Sequence, residues 1–189
     1  MRFVAFLLIA LALASCATGP ATAPPPEQSA SLAVCAMRVT NAPATDSAGR
    51  IRGFDPNVQI SGAYLLRAPV AACVSSGYGP RRGGAGSFHH GVDLYTGSPR
   101  AFVAGGDGVI EFVGTQRGYG RTVLIRHNEN VKTRYAHLSS YADGVRKGRR
   151  IRRGETLGKT GRTGNATAVH LHYEILVRGR PVDPLTAGK

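Results

Sequence analysis

Two histidines one residue apart open a β-rich stretch of the sequence, Val169-His170-Leu171-His172-Tyr173-Glu174. In an extended strand alternate side chains point to the same face, so the two imidazoles would share one side, with their residues about 6.5 Å apart along the backbone. Glu174 continues that face, where it either orients an imidazole or lies in solvent. Two imidazoles on one side of a strand suit a metal ion, but histidines at the edge of a core can have the same spacing. The pair alone therefore leaves both interpretations open.

The sequence from Tyr64 onward consists of short β-like runs separated by glycines. The runs with strand composition and length cover residues 109–113, 122–127, 133–137 and 171–177. After the amino terminus no window shows a sustained apolar period of 3.6 residues, and we find no solenoid repeat. This pattern predicts an all-β fold, an antiparallel sandwich or barrel with glycine-rich loops and few or no long helices.

The amino terminus is typical of an export signal. A basic residue precedes an apolar run over residues 3–13 that is too short to span a membrane, a buried helix being the alternative. The run ends in Leu13-Ala14-Ser15-Cys16, which resembles the bacterial lipoprotein signal. The resemblance implies that residues 1–15 are a signal peptide and that Cys16 is lipidated, so that acyl chains hold the mature protein to a membrane.

The residue after the lipidated cysteine indicates where such a protein would be sorted. Ala17 stands there rather than an aspartate, which resembles the pattern of outer-membrane sorting in a cell with two membranes. We therefore expect a periplasm-facing protein of the cell envelope. The following residues are rich in Ala, Thr and Pro, and we interpret residues 16–31 as a lipidated, disordered tether.

The remainder of the chain divides into an N-terminal extension, residues 32–63, and a folded domain, residues 64–189. Within the extension, residues 34–39 could form a strand. If Cys16 is lipidated, Cys35 and Cys73 remain as an even number of cysteines in an oxidising compartment. We predict a disulfide between them, two buried thiols being the alternative.

The net charge of +13 favours an anionic environment. An exported chain meets the cell wall and anionic lipid headgroups, so we expect no nucleic-acid partner. The clearest basic cluster is Arg146-Lys147-Gly148-Arg149-Arg150-Ile151-Arg152-Arg153. It is either a solvated loop or a site of surface attachment.

A second group of possible metal ligands lies in Phe88-His89-His90-Gly91-Val92-Asp93-Leu94. If this segment is extended, His89, Gly91 and Asp93 share one face, and the missing side chain of Gly91 leaves room for an ion. One imidazole, one carboxylate and one histidine of the other pair would form a three-ligand site with an open position for water. The spacing alone allows either His89 or His90 as the ligand.

Five motifs in this order resemble the lysostaphin-like zinc metallopeptidases, which cut peptidoglycan cross-links. They are Ser76-Gly77-Tyr78-Gly79-Pro80-Arg81, His89-x-x-x-Asp93, Tyr135-Ala136-His137-Leu138-Ser139, Gly158-x-x-Gly161-x-Thr163-Gly164 and His170-Leu171-His172-Tyr173-Glu174. The resemblance covers about residues 66–185. It departs from the family before the last motif, where Ala168-Val169 replaces the usual Gly-Pro.

The resemblance implies an antiparallel β-sandwich and a role for each matching residue. Zinc would be bound by His89, Asp93 and His172. His137 and His170 would lie near the metal without binding it, as acid/base and transition-state-stabilising groups. Such chemistry needs no covalent nucleophile.

Four other side chains have less specific roles. Tyr78 and Arg81, before the first ligand, either orient substrate or shape their loop, and His90 is a rim residue that could touch substrate. His127, at the end of a predicted strand, is expected to be structural.

The implied function is hydrolysis of peptide cross-links in peptidoglycan by a monomeric zinc endopeptidase anchored in the cell envelope. Some relatives have lost metal ligands and act as non-catalytic activators of other wall hydrolases, which is the main alternative. A wall-binding module that uses the basic surface is a third possibility. All five expected positions are filled in this sequence, which favours catalysis. We also hypothesise that residues 32–63, tied by the disulfide just upstream of the site, inhibit it.

Overall fold

The computed structural model of the protein describes residues 31–81 and 88–188. These residues form fifteen β-strands and no helix, and therefore no helix that could cross a membrane. The strands are β1 (Asn57–Ile60), β2 (Ala63–Leu66), β3 (Cys73–Ser76), β4 (Gly79–Pro80), β5 (Phe88–His89), β6 (Val92–Tyr95), β7 (Ala101–Val103), β8 (Gly108–Gln116), β9 (Gly120–Arg126), β10 (Val131–Ala136), β11 (Ser140–Tyr141), β12 (Arg150–Ile151), β13 (Thr156–Lys159), β14 (His170–Val177) and β15 (Arg180–Val182). The predicted signal peptide, Cys16 and almost all of the tether lie outside the described residues.

Most strands belong to one eight-stranded sheet. Its order is β12-β8-β9-β10-β14-β6-β3, with β15 also paired to β14. A three-stranded sheet has the order β11-β13-β7, and β1-β2 and β4-β5 form two-stranded sheets. Every pair of named strands is antiparallel. The predicted antiparallel all-β fold is confirmed.

The four predicted runs correspond to β8, β9, β10 and β14, each with slightly different ends. The possible strand over residues 34–39 does not form. Instead the chain turns at Met37, whose N–H donates to the Cys35 carbonyl at 2.7 Å. Isolated parallel bridges remain on either side of this turn, Val34 to Val74 and Thr40 to Ser76.

Strand β14 positions the functional face of the eight-stranded sheet, and seven of its eight residues are buried. Its core face carries Leu171, Tyr173 and Ile175, all fully buried. The opposite face carries His170, His172 and Glu174. Because these polar side chains are also buried, they need hydrogen-bond partners within the protein.

The two larger sheets share one core through aromatic contacts. Phe102 of β7 stacks on Tyr135 of β10 with ring centroids 5.6 Å apart, and Tyr135 contacts Tyr173 of β14 at 5.3 Å. The Tyr173 hydroxyl donates to the Leu66 carbonyl at 2.8 Å. This packing fixes the core side of the strand whose other side carries the histidines.

The N-terminal extension is continuous with the rest of the structure. The proposed boundary at 63/64 falls at the β1–β2 hairpin, where Ile60 pairs with Ala63. Leu32, Val58 and Ile60 belong to the same hydrophobic core as the later strands. The structure also contains the expected Cys35–Cys73 disulfide, which joins the extension to β3.

The basic cluster lies at the far edge of the main sheet. Its residues Arg150 and Ile151 form β12, which pairs with β8. Strands β8, β9 and β10 separate β12 from β14. This surface is therefore remote from the histidines of β14.

Replacing Tyr135 with phenylalanine should lower the free energy of unfolding by about 1–3 kcal/mol. The Tyr135 oxygen accepts hydrogen bonds from the Gly105 N–H at 2.7 Å and the Thr133 hydroxyl at 2.9 Å, and all three residues are buried. The Tyr135→Phe variant leaves the Gly105 N–H without this acceptor. Urea denaturation would measure the loss, with Tyr64→Phe as control because Tyr64 is 54% exposed. Equal stability of the two variants would contradict this interpretation.

Candidate metal centre

Three potential ligand atoms converge at the functional face of the main sheet. His89 Nε2 lies 3.1 Å from Asp93 Oδ1 and 3.1 Å from His172 Nδ1, and His172 Nδ1 lies 2.9 Å from Asp93 Oδ1. Among the described residues, these three form the group that could hold a metal ion. Both imidazoles are buried, and the carboxylate is only slightly exposed.

Strand pairing explains how residues 79 positions apart in the sequence meet. His172 of β14 lies directly opposite Asp93 of β6, and His89 ends β5, just before β6 begins. The chain bends between these two strands instead of continuing as one strand. The predicted grouping of His89 with Asp93 therefore arises from a bend and not from simple alternation.

Gly91 lies in this bend, and its role differs from the one inferred from the sequence. A Cβ at this position would lie 2.3 Å from the Tyr173 carbonyl oxygen and 3.0 Å from Glu174 Cγ. The missing side chain allows the backbone before β6 to approach β14. The expectation that Gly91 leaves room for an ion is wrong, because β14 occupies that space.

In each candidate ligand histidine, the ring nitrogen that points away from the metal position faces a hydrogen-bond acceptor. His89 Nδ1 lies 2.7 Å from the Gly77 carbonyl oxygen, and His172 Nε2 lies 3.0 Å from Glu174 Oε1. Since the Gly77 carbonyl and Glu174 accept hydrogen bonds there, Nδ1 of His89 and Nε2 of His172 carry the proton when the other nitrogen of each ring binds a metal ion. The inner nitrogens, His89 Nε2 and His172 Nδ1, are then lone-pair donors.

The donor set fits a divalent cation. Two imidazole nitrogens and a carboxylate oxygen meet at distances of 2.9–3.1 Å. In the tautomers given above, the neutral rings place no proton between these three atoms. A cation coordinated by all three would remove the repulsion between these lone pairs. Two nitrogens and one oxygen, with a fourth position open, are the ligands of a catalytic zinc site.

Protonation competes with metal binding at this group. Burial lowers the pKa of His172, but hydrogen bonds to Asp93 and Glu174 outweigh it and raise the pKa to about 9. Burial raises the pKa of Asp93, but hydrogen bonds from His172 and His89 outweigh it and lower that pKa well below its usual value. Metal affinity should therefore weaken as the pH falls.

Glu174 orients His172 and does not lie in solvent. Its side chain is 1% exposed, and its Oε2 accepts a 2.5 Å hydrogen bond from Arg134 Nη1. The Tyr119 hydroxyl donates to Oε1 at 2.8 Å. Burial raises the pKa of Glu174, whereas the hydrogen bond to His172 and the charge of Arg134 lower it, with a net decrease. An ionised Glu174 thus fixes the His172 ring with Nδ1 toward the metal position.

Sequence reasoning missed Arg134 and Tyr119. Arg134 lies directly opposite Glu174 in the β10–β14 pairing, a register that the sequence does not reveal. Tyr119 contacts both partners, since the Arg134 guanidinium lies 4.6 Å from its ring centroid. An aromatic residue flanked by two glycines, Gly118-Tyr119-Gly120, was the available signal.

Two further histidines lie beside the candidate ligands. The ring centroids of His137 and His170 are 4.8 Å apart, and His170 Nε2 lies 3.6 Å from Asp93 Oδ1. Nδ1 of each ring also faces a backbone carbonyl. His137 Nδ1 lies 2.7 Å from the Thr163 carbonyl oxygen, and His170 Nδ1 lies 2.9 Å from the Ala168 carbonyl oxygen. In the neutral rings Nε2 is thus left free to accept a proton.

His137 combines an unusual backbone with a perturbed pKa. Its φ angle of 63° lies in the left-handed region, which a non-glycine residue adopts at a cost and which is common at functional sites. Burial and the nearby His170 lower the pKa of His137 to about 4. The imidazole is therefore neutral at neutral pH.

His137 and His170 line an open cleft of about 860 Å³ together with the three candidate metal ligands. Arg81 also lines it, with Nη2 3.3 Å from Asp93 Oδ2. The described residues that line it are Met37, Ser75, Ser76, Arg81, His89, Asp93, Tyr95, Gly118, Tyr119, His137, Asn165, Ala166, Thr167, Ala168, His170 and His172. Its volume is within the range of ligand-binding clefts, and the candidate metal ligands form part of its lining.

The other predicted residues lie away from the centre. The Tyr78 hydroxyl donates to the Pro181 carbonyl at 2.9 Å, and His90 is exposed next to Phe88. Neither is among the described residues that line the cleft, so their contacts with substrate stay predictions. Both ring nitrogens of His127 are occupied, by the Asp107 carbonyl and the Thr133 hydroxyl, as expected for a structural residue.

Comparison with known proteins gives matches over the part of the chain that carries this centre. The sequence profile of peptidase family M23 matches residues 87–184, more than half of the chain. DD-carboxypeptidase/endopeptidase Mpg of Neisseria meningitidis serogroup B is 36% identical over 132 residues, 68% of this chain and 30% of that protein. Peptidoglycan DD-endopeptidase ShyA of Vibrio cholerae is 39% identical over 99 residues, 52% of this chain and 23% of that protein.

A relative described as a lipoprotein is also found. The Lipoprotein NlpD/LppB homolog of Pseudomonas aeruginosa is 36% identical over 101 residues, 53% of this chain and 33% of that protein. The chain thus spans about a third or less of the length of these relatives.

Two solved structures share the fold. A zinc-containing peptidase from Vibrio cholerae has a TM-score of 0.61 and 32% identity, covering 69% of this chain and 45% of that one. The catalytic domain of lysostaphin from Staphylococcus simulans has a TM-score of 0.55 and 31% identity, covering 60% of this chain and 89% of that one. Together with the matching profile, these similarities show that the chain belongs to peptidase family M23.

Proposed function

We propose that the protein is a zinc-dependent endopeptidase that hydrolyses peptide cross-links of bacterial peptidoglycan. The observation that carries the proposal is the convergence of three lone-pair ligands beside two histidines at an open cleft. Membership of peptidase family M23 supports it, as do the relatives described as peptidoglycan DD-endopeptidases. All five side chains that the chemistry requires are present, which fits catalysis better than a non-catalytic activator.

The proposed metal ligands are His89 through Nε2, Asp93 through Oδ1 and His172 through Nδ1. When bound there, zinc would polarise the scissile carbonyl and lower the pKa of a water molecule toward 7. Glu174 and the Gly77 carbonyl would hold the two imidazoles in the orientation that this binding needs.

His137 and His170 are the proposed proton-transfer pair. Each neutral ring offers Nε2, because Nδ1–H is occupied by a backbone carbonyl. As water adds to the carbonyl carbon, one of these nitrogens would accept the water proton and then donate it to the leaving amine nitrogen. The C–N bond breaks, and the products are a carboxylate and an amine without a covalent enzyme intermediate.

We further propose that Cys16, which lies outside the described residues, carries a lipid that holds the protein in the outer membrane, facing the periplasm. The relative described as a lipoprotein supports this proposal. Substrate and anchor would then lie in the same compartment. We expect a monomer that acts on peptidoglycan and binds no nucleic acid.

The His172→Ala and His170→Ala variants should separate metal binding from proton transfer. We expect wild type to bind one zinc per chain and to digest isolated peptidoglycan. His172→Ala should lose both properties, whereas His170→Ala should keep zinc and lose activity by about 100-fold or more. Zinc content and released muropeptides would be measured, with His127→Ala as a histidine control outside the cleft. If His170→Ala lost zinc while His172→Ala kept it, the assigned roles of the two histidines would be reversed. A wild-type protein that binds no zinc and releases no product would contradict the proposed function.

The Glu174→Gln variant should bind zinc about 10–100-fold more weakly, because the ionised partner of His172 is lost. Competition with a chromogenic chelator would measure the affinity. Glu111→Gln is a matched control, since Glu111 also pairs with basic side chains, Lys132 and Arg126, but lies outside the cleft. Equal affinities of the two variants would contradict the role of Glu174.

Changing Cys16 to serine should release the protein from the membrane fraction, because acyl chains would no longer be attached. Detergent phase partitioning of wild type and Cys16→Ser would measure the change. A Cys16→Ser variant that stays in the detergent phase would contradict lipid anchoring. Cys35→Ser is the control substitution, since it removes a cysteine outside the lipoprotein signal.

A further inference from the structure

The N-terminal extension contributes one residue to the cleft. Of its described residues, Met37 alone is among those that line the cavity with the candidate ligands and with His137 and His170. Its side chain is 51% exposed, one of only three large apolar side chains on the described surface that are exposed. Methionine is flexible and apolar, so its thioether at the lining of this cleft can contact apolar groups of a ligand bound there.

The chain on both sides of Met37 is firmly attached to β3, and we call residues 33–41 the wall segment. Before Met37, the Cys35 N–H donates to the Val74 carbonyl at 3.0 Å and the Val74 N–H donates to the Ala33 carbonyl at 2.9 Å. The Cys35–Cys73 disulfide lies at the same point. After Met37, the Gly77 N–H donates to the Thr40 carbonyl at 2.8 Å.

The second attachment is close-packed. A Cβ at Gly77 would lie 1.9 Å from the Asn41 carbonyl oxygen, so only glycine allows this approach. Val39 packs against the hydrophobic core between the two attachments. The wall segment is therefore an arch with two fixed ends, and Met37 lies in its exposed middle part beside the cleft.

This geometry forms a wall and not a cover. The cleft remains open at about 860 Å³ with Met37 in place, and half of the Met37 side chain is accessible. The hypothesis that residues 32–63 inhibit the site would require the segment to fill the space over the ligands. The position of Met37 at the cleft lining favours contact with substrate instead.

We propose that Met37 is a substrate-contacting residue that increases affinity for the aliphatic part of a peptidoglycan stem peptide, and that the Cys35–Cys73 disulfide holds it in position. This inference rests on the proposed function. The polar ligands and histidines can act on the scissile amide of any peptide, whereas an apolar side chain at the cleft can favour aliphatic groups beside that bond. Met37 lies outside the reacting groups, so it should affect binding more than the chemical step.

Steady-state kinetics on a purified cross-linked muropeptide dimer would test the proposal. The Met37→Ala variant should raise KM about fivefold with little change in kcat, because roughly 40 Å² of apolar contact is lost. Met37→Leu, of similar volume, should keep KM near the wild-type value. Tyr64→Ala is the control, an exposed apolar residue outside the cleft. Zinc content should be equal in all four proteins.

Hydrolysis by wild type with an unchanged KM in Met37→Ala would overturn this inference and leave the proposed function standing. A wild type that binds zinc but does not hydrolyse the dimer would overturn the proposed function instead. A Met37→Ala variant with lower kcat and unchanged KM would also overturn the inference, because it would place the effect on the chemical step.

The role of the disulfide can be tested by combining substitutions. The Cys35→Ser/Cys73→Ser variant should raise KM, because one end of the arch loses its covalent attachment. Adding Met37→Ala to this variant should raise KM by less than the fivefold seen in wild type, since the two changes affect the same contact. If Met37→Ala raises KM by the same factor with and without the disulfide, the disulfide does not act through Met37. That result would overturn this part of the proposal.

Discussion

His172 lies between two carboxylates, and the functional face of the protein depends on that arrangement. Asp93 faces one ring nitrogen at 2.9 Å and Glu174 faces the other at 3.0 Å. Burial alone would favour a neutral ring, whereas the two carboxylates raise the pKa of His172 and hold the ring in one orientation. Glu174 is itself fixed by Arg134 and Tyr119, so the orientation of one imidazole depends on residues from β10 and from the β8–β9 turn. A metal ion bound by Nδ1 of His172 would therefore have its position set by the sheet and not by a flexible loop.

Hydrogen bonds to acceptors also orient the other three histidines of the cleft. His89, His137 and His170 each have Nδ1 within 3 Å of a backbone carbonyl oxygen, which leaves Nε2 directed to other groups. A carbonyl can only accept a hydrogen bond, so it selects one tautomer of a neutral imidazole. Three imidazoles with selected tautomers, and a fourth held between two carboxylates, require little reorganisation when substrate arrives.

Strand periodicity made a large part of the candidate site predictable from the sequence. Alternation placed His170, His172 and Glu174 on one face, and the family resemblance identified the motifs that meet there. Alternation failed at Gly91, because the chain bends between β5 and β6 and the glycine is required by close packing against β14. Arg134 could not be found, because its contact with Glu174 depends on the register between β10 and β14. The position of Met37 depends on a turn and on two isolated bridges, which leave no periodic signal in the sequence.

The most direct measurement is a crystal structure of the zinc-loaded protein, with anomalous data at the zinc absorption edge to locate the ion. The structure should show zinc bound by His89 Nε2, Asp93 Oδ1 and His172 Nδ1, with His172 Nε2 still hydrogen-bonded to Glu174. Zinc bound through Nε2 of His172, or by His137 or His170 in place of one of these ligands, would contradict the central claim that the two carboxylates fix the metal-binding face of His172.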